Sequence, residues 1–179
     1  MRLRNVLSLA VSATAFALTA SASARPVNVV MILADDMGYA DLGVTGCKDF
    51  ATPRLDSIAQ AGVRFTQAYV TAAVCSPSRA GFMTGQYQQR FGHEHNGNGP
   101  PPFGMPLDQT LMPQHFRAAG YSTALIGKWH LGEGAGMHPM DRGFDHFVGH
   151  LSGGHSYRPP RNHLDPEQNK ILEGREPAQ

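Results

Sequence analysis

The sequence predicts an α/β protein, and three observations carry that prediction. Residues 27–34, "VNVVMILA", are a run of branched apolar residues broken only by Asn28, the pattern of a strand buried on both faces. Helix and strand patterns then alternate, the rhythm of a sheet with helices packed on it. Polar residues collect where the predicted strands end, the place where open α/β sheets bind ligands.

The elements follow in order. "TPRLDSIAQAG" (52–62) predicts a helix with Thr52 as cap, Pro53 at the first helical position, Leu55, Ile58 and Ala59 on one face, and Gly62 as the stop. "VRFTQAYV" (63–70) alternates as a strand does. "SRAGFMTG" (78–85) reads as a short helix closed by Gly85. Residues 90–106, rich in Gly, Pro, His and Asn, predict a long surface loop, in which His93 and His95 read either as solvated residues or as sugar contacts. "TLMPQHFRAAG" (110–120) predicts a helix with Leu111, Phe116 and Ala119 on its apolar side, ended by Gly120. "YSTALIGKWHLG" (121–132) is a strand running into a polar, Gly-flanked end. From residue 158 the chain is polar and has little to bury, which predicts a tail or a connecting loop.

The chain has 179 residues, a formal net charge of +1, 41% hydrophobic and 16% charged residues. That balance excludes a disordered chain and gives no basic excess for nucleic acid. At the start, Arg2 and Arg4 precede an apolar run over residues 6–20 and the small residues Ala22, Ser23 and Ala24. This predicts a cleaved export signal over residues 1–24 rather than a stable membrane anchor, hence a periplasmic or secreted protein. In an oxidising compartment Cys47 and Cys75 could pair, so a disulfide-stapled secreted binding module stands as a reading of another class.

Three segments bring polar groups to strand ends. Asp35 and Asp36 end the first predicted strand; adjacent carboxylates suit a hard divalent cation, and Asp-Asp-x-Gly also suits a turn. Cys75 precedes a helix whose first turn offers backbone N–H groups to an anion, and Arg79, four residues on, returns to the same face. Lys128 and His130 alternate onto one face of a strand end between Gly127 and Gly132. Carboxylates for a cation, cationic side chains and a helix start together indicate an oxyanion substrate, a sulfate or phosphate ester.

The motifs themselves resemble a known family. "CSPSRAGFMTG" (75–85) resembles the sulfatase signature, Cys-x-Pro-x-Arg followed by a short helix and Thr-Gly, with Cys75, Pro77, Arg79, Thr84 and Gly85 as its members. "NVVMILADDMGYADLG" (28–43) resembles the family's opening strand with its metal-binding Asp pair, "GYSTALIGKWHLG" (120–132) its Gly-Lys-Trp-His-Leu-Gly segment, and "HPMDRGFDHFVG" (138–149) the stretch that follows. The resemblance implies the N-terminal part of an alkaline-phosphatase-like fold, a mixed, mostly parallel sheet flanked by helices, over residues 25–158. Residues 159–179 would be a polar segment leading to the remainder.

For function, the resemblance implies a sulfuric ester hydrolase. Cys75 would be converted by a formylglycine-generating enzyme to an aldehyde. One hydroxyl of the hydrated aldehyde attacks sulfur, and deprotonation of the other releases sulfate. Asp35, Asp36 and the modified Cys75 would bind Ca²⁺, or Mg²⁺ in its place. Arg79 would orient the hydrated aldehyde, Lys128 would bridge it to the sulfate, and His130 would act on its second hydroxyl. The partner would be a sulfated small molecule or glycan, with a phosphonate or phosphate ester hydrolase of the same superfamily as the alternative. Two departures stand out: Gln86 replaces a frequent Arg, and the family's later His, second metal pair and second Lys have no match here. The expectation is therefore an N-terminal fragment, inactive alone.

Overall fold

The computed structural model describes residues 26–97, 103–155 and 171–178. The predicted export signal, residues 1–24, lies outside them. The chain divides into two compact units, the first ending at Met37 and the second running from Gly38 to Gln179.

In the first unit, residues 26–34 form no strand, and their apolar side chains are exposed. The predicted buried strand is thus not formed. A strand buried on both faces needs a ladder partner and two covering layers, and among the described residues no strand pairs with this one.

The second unit holds the helices and the sheet. Helix α1, Pro53–Ala61, starts at Pro53 as expected. Thr52 flanks it, accepting from the Gly43 N–H (2.8 Å) and donating to Asp56 Oδ1 (3.0 Å). Its predicted apolar face is not buried: Leu55 and Ile58 are exposed. Residues 63–70, predicted as a strand, likewise remain unpaired and exposed.

Helix α2, Cys75–Thr84, is the buried one. Gly85 closes it at φ +66°, its N–H donating to Gly81 O at 2.9 Å, a left-handed stop that glycine adopts at little cost. Gly81 is needed for a different reason: a Cβ there would lie 2.3 Å from Thr71 Oγ1. Helix α3, Met112–Ala118, begins where Gln114 Oε1 accepts from the Leu111 N–H (2.7 Å), satisfying one orphan donor of the first turn. The buried core joins these pieces: Ala80 and Met83 of α2, Met105, Leu111, Trp129, Leu131 and Phe144.

Strand β1, Ala124–Lys128, runs parallel to β2, His146–His150, in a register from Ala124↔His146 to Lys128↔His150. Side chains fix the start of this pair. Thr123 Oγ1 donates to Gly143 O (2.7 Å), and the Thr123 N–H donates to Asp145 Oδ2 (2.8 Å). The C-terminal segment departs from the expected polar tail. Leu172–Glu173 (β3) pairs antiparallel with β2, then turns at Gly174 (φ +65°) into β4, Glu176–Pro177. A two-residue turn with glycine first is a favoured hairpin connection, and Leu172 supplies the apolar residue. The sheet order is β1-β2-β3-β4, a partial open mixed sheet.

Candidate active site

The site is built where the start of α2 meets the end of β1. Cys75 is the first residue of α2 and half-buried; Cys47 is also half-buried, and both are free thiols, so the disulfide reading finds no support. Ser76 and Arg79 are buried. Two hydrogen bonds tie this helix to a segment some fifty residues on: Arg79 Nη1 donates to Lys128 O at 2.8 Å, and Ser76 Oγ donates to His130 O at 2.6 Å. Predicted site residues Cys75, Arg79, Lys128 and His130 are thereby assembled on one framework.

The β1 end itself differs from expectation. Lys128 is the last strand residue, and His130 lies past it at φ +56°, a left-handed conformation that costs a non-glycine residue roughly 1–2 kcal/mol. Lys128 and His130 therefore do not share a strand face. The turn is held from several sides. The His130 N–H donates to Leu151 O (2.9 Å), and the Trp129 N–H donates to His150 O (3.0 Å). The Trp129 ring lies in the core, edge-on to Phe144 at 6.2 Å, with Nε1 donating to Met137 O (3.0 Å). Leu131 O accepts from the Met105 N–H (2.9 Å).

The start of α2 is less open to an anion than its position suggests. The Ser76 N–H donates to Asn96 Oδ1 (2.9 Å), Pro77 has no N–H, and the Ser78 N–H donates to Val74 O (3.3 Å). Burial holds the His150 imidazole below its ordinary pKa, the Ser152 backbone opposes that, and the neighbouring His155, Lys128 and Arg79 add to burial. The His150 and His155 rings lie 5.3 Å apart. The fields of Arg79, Lys128 and His155 therefore overlap at His150, beside Lys128 in the parallel register. Nothing in the local sequence pattern of His150 and His155 shows what the β1–β2 register brings beside them.

His93 is a second correction. It is buried, not solvated, with Nε2 2.7 Å from Ser76 Oγ and its ring 5.3 Å from Phe103. Burial pushes its pKa down, and a contact with the Gly104 backbone opposes the shift. His95 is exposed.

Asp35 and Asp36 belong to the first unit, where both are exposed. Their adjacent carboxylates have the hard oxygen chemistry a divalent cation takes. Among the described residues no group of three His, Cys, Asp or Glu side chains is placed to hold a metal ion.

The start of α2 braced to the end of β1, on a partial open mixed sheet with helices, defines the class as an α/β protein. The Sulfatase family model matches residues 27–171, and the chain belongs to that family. It is 42% identical over 134 residues to arylsulfatase G of Rattus norvegicus, covering 75% of this chain and 26% of the relative. It is 37% identical over 166 residues to N-acetylgalactosamine-6-sulfatase of the same organism, covering 88% of this chain and 30% of the relative. Among solved structures, Ps i-CgsB superimposes with a TM-score of 0.76 at 34% identity, over 82% of this chain and 36% of that one. The fold is thus that of part of a sulfatase, and the chain spans well under half the length of these relatives. No helix among the described residues is long and apolar enough to cross a membrane.

Proposed function

We propose that this chain carries the nucleophile-bearing part of a sulfatase site that hydrolyses sulfate monoesters after export, with a sulfated glycan as substrate. The observation that carries the reading is the cross-brace of Arg79 to Lys128 O and Ser76 to His130 O, which ties the helix bearing Cys75 and Arg79 to the segment bearing Lys128 and His130. The substrate class is supported by two similarities: Ps i-CgsB is solved in complex with k-i-k-neocarrahexaose, and a relative is an N-acetylgalactosamine-6-sulfatase.

In this reading Cys75 is matured to formylglycine by a formylglycine-generating enzyme; its hydrate supplies both the attacking hydroxyl and a second one whose ionisation frees sulfate. Asp35 and Asp36 are the residues that would hold Ca²⁺ or Mg²⁺, with further oxygens from outside the pair, and the bound ion would withdraw charge from the sulfate. The chain's own side chains do the rest. Arg79 and Lys128 bind and orient the anion in a partly buried site, where charge–charge attraction is stronger than in water. His130 accepts a proton at its imidazole.

Two measurements test this. The tryptic peptide ending at Arg79, isolated after co-expression with a formylglycine-generating enzyme, should carry an aldehyde at Cys75; an unmodified thiol under conditions that convert a control sulfatase overturns the reading. Turnover of an aryl sulfate should be absent or slight for the 179-residue chain alone, and robust metal-dependent turnover would show that the chain is sufficient by itself.

A further inference from the structure

We propose that His93 is a positioning residue for His130, acting through Ser76. The proposal rests on the sulfatase reading for its functional meaning and on hydrogen-bond geometry for its substance.

A carbonyl oxygen can only accept, so the Ser76 hydroxyl proton, 2.6 Å from His130 O, belongs to that bond. Ser76 Oγ then has lone pairs left and no second proton. His93 Nε2, 2.7 Å away, is the donor that completes this pattern, in competition with the ring's contact to the Gly104 backbone. The result is a directed chain: His93 Nε2–H to Ser76 Oγ–H to His130 O. Each hydroxyl that receives a bond donates a better one, so His93 strengthens the grip on His130 without touching it.

That grip matters because His130 sits at φ +56°, where a non-glycine backbone persists only if its surroundings hold it. The surrounding contacts fit a brace. His93 and Ser76 are buried, so water does not substitute readily at either. Phe103 neighbours both imidazoles, its ring centroid 5.3 Å from that of His93 and 6.5 Å from that of His130. Asn96, three residues after His93, takes the Ser76 N–H, so one loop contacts both the backbone N–H and the hydroxyl of Ser76. This loop lies just beyond the signature helix in sequence but shares none of its motif.

The test uses the 179-residue chain. In nitrogen-detected NMR of the histidine rings, His93 should carry a proton on Nε2. Ser76→Ala and His93→Phe should each move the ring signals of His130, and His93→Gln, which keeps an N–H donor, should restore them toward wild type. Titrated with inorganic sulfate, both disrupting variants should bind about threefold to tenfold more weakly, the range one net hydrogen bond is worth. The double variant should lose no more than either single one, as members of one chain do. An unprotonated Nε2 overturns the proposal, as does a folded Ser76→Ala protein with wild-type His130 signals, or equal disturbance by Gln and Phe. Should His93→Phe fail to fold, Ser76→Ala alone decides. Should the wild type bind no sulfate, the ring signals still decide the brace, and the aldehyde measurement at Cys75 decides the functional reading.

Discussion

Residues 27–34 and strand β1 are both short apolar runs that end at polar residues of the candidate site, and the structure treats them oppositely. β1 has a full parallel ladder with β2, whereas in the first run Val30 is 83% exposed and Ile32 80% exposed. Hydrophobicity does not separate them; Ile126 in the middle of β1 is itself 82% exposed. What separates them is the set of ties at the ends. Thr123 binds Gly143 and Asp145 at the start of β1, and Trp129 binds Met137 and His150 past its end. An apolar run states what a strand could bury; groups supplied from far along the chain decide what it pairs with.

The comparison breaks most visibly at Phe147, the 1% exposed residue of β2 whose ring meets His138 edge-on at 5.3 Å. Phe147→Ala should cost about 3–5 kcal/mol in urea unfolding, because the site is too tightly packed to collapse around the loss. A cost below about 1 kcal/mol would mean that the β1–β2 pair is not the stable part of the molecule.

Next comes the tie at the start. Thr123→Val keeps the shape but removes the hydroxyl donated to Gly143 O, and should cost about 1–3 kcal/mol. The same region sets an acid dependence. The Thr123 backbone N–H above all holds the Asp145 carboxyl below its ordinary pKa; burial is the next-largest influence and opposes it, and the Thr123 hydroxyl and the charges of Arg117 and His146 add to the lowering. The folded state thus binds this proton less readily than the unfolded one. Its stabilisation is present above the ordinary aspartate value and is lost as pH falls below about 4. Asp145→Asn should flatten the acid limb of stability against pH, and an unchanged limb would remove Asp145 from the account.

The same distinction explains what could be read beforehand. Helix stops at Gly85 and Gly120, the start at Pro53 and the strand at Ala124–Lys128 were legible because each depends on local chemistry. The motif residues Cys75, Arg79, Lys128 and His130 were legible from the family resemblance, and the structure adds the cross-brace between them. His93 and Asn96 were not legible, since a polar loop with Gly and Pro looks solvated until Ser76 is known to stand beneath it. The left-handed turn at His130 was hidden for the same reason, since the groups bonded to its backbone, Ser76 and Leu151, come from elsewhere in the chain. The β3–β4 hairpin escaped notice because two-residue strands carry too few positions for an alternation to show.

The smallest effects sharpen the comparison furthest, because they isolate pairing from burial. Ile126 and Ile32 are almost equally exposed, at 82% and 80%, but only Ile126 lies in a ladder. Ile126→Ser should cost up to about 1 kcal/mol, the span of strand preference for a residue that a ladder keeps extended. Ile32→Ser should stay within about 0.5 kcal/mol, since the side chain leaves water no further on folding and its backbone has no ladder to lose. Urea midpoints of the two variants, compared at equal slope, measure the difference directly. A loss of 2 kcal/mol or more at Ile32 would show that residues 27–34 are packed in solution, and the contrast between the two runs would then vanish.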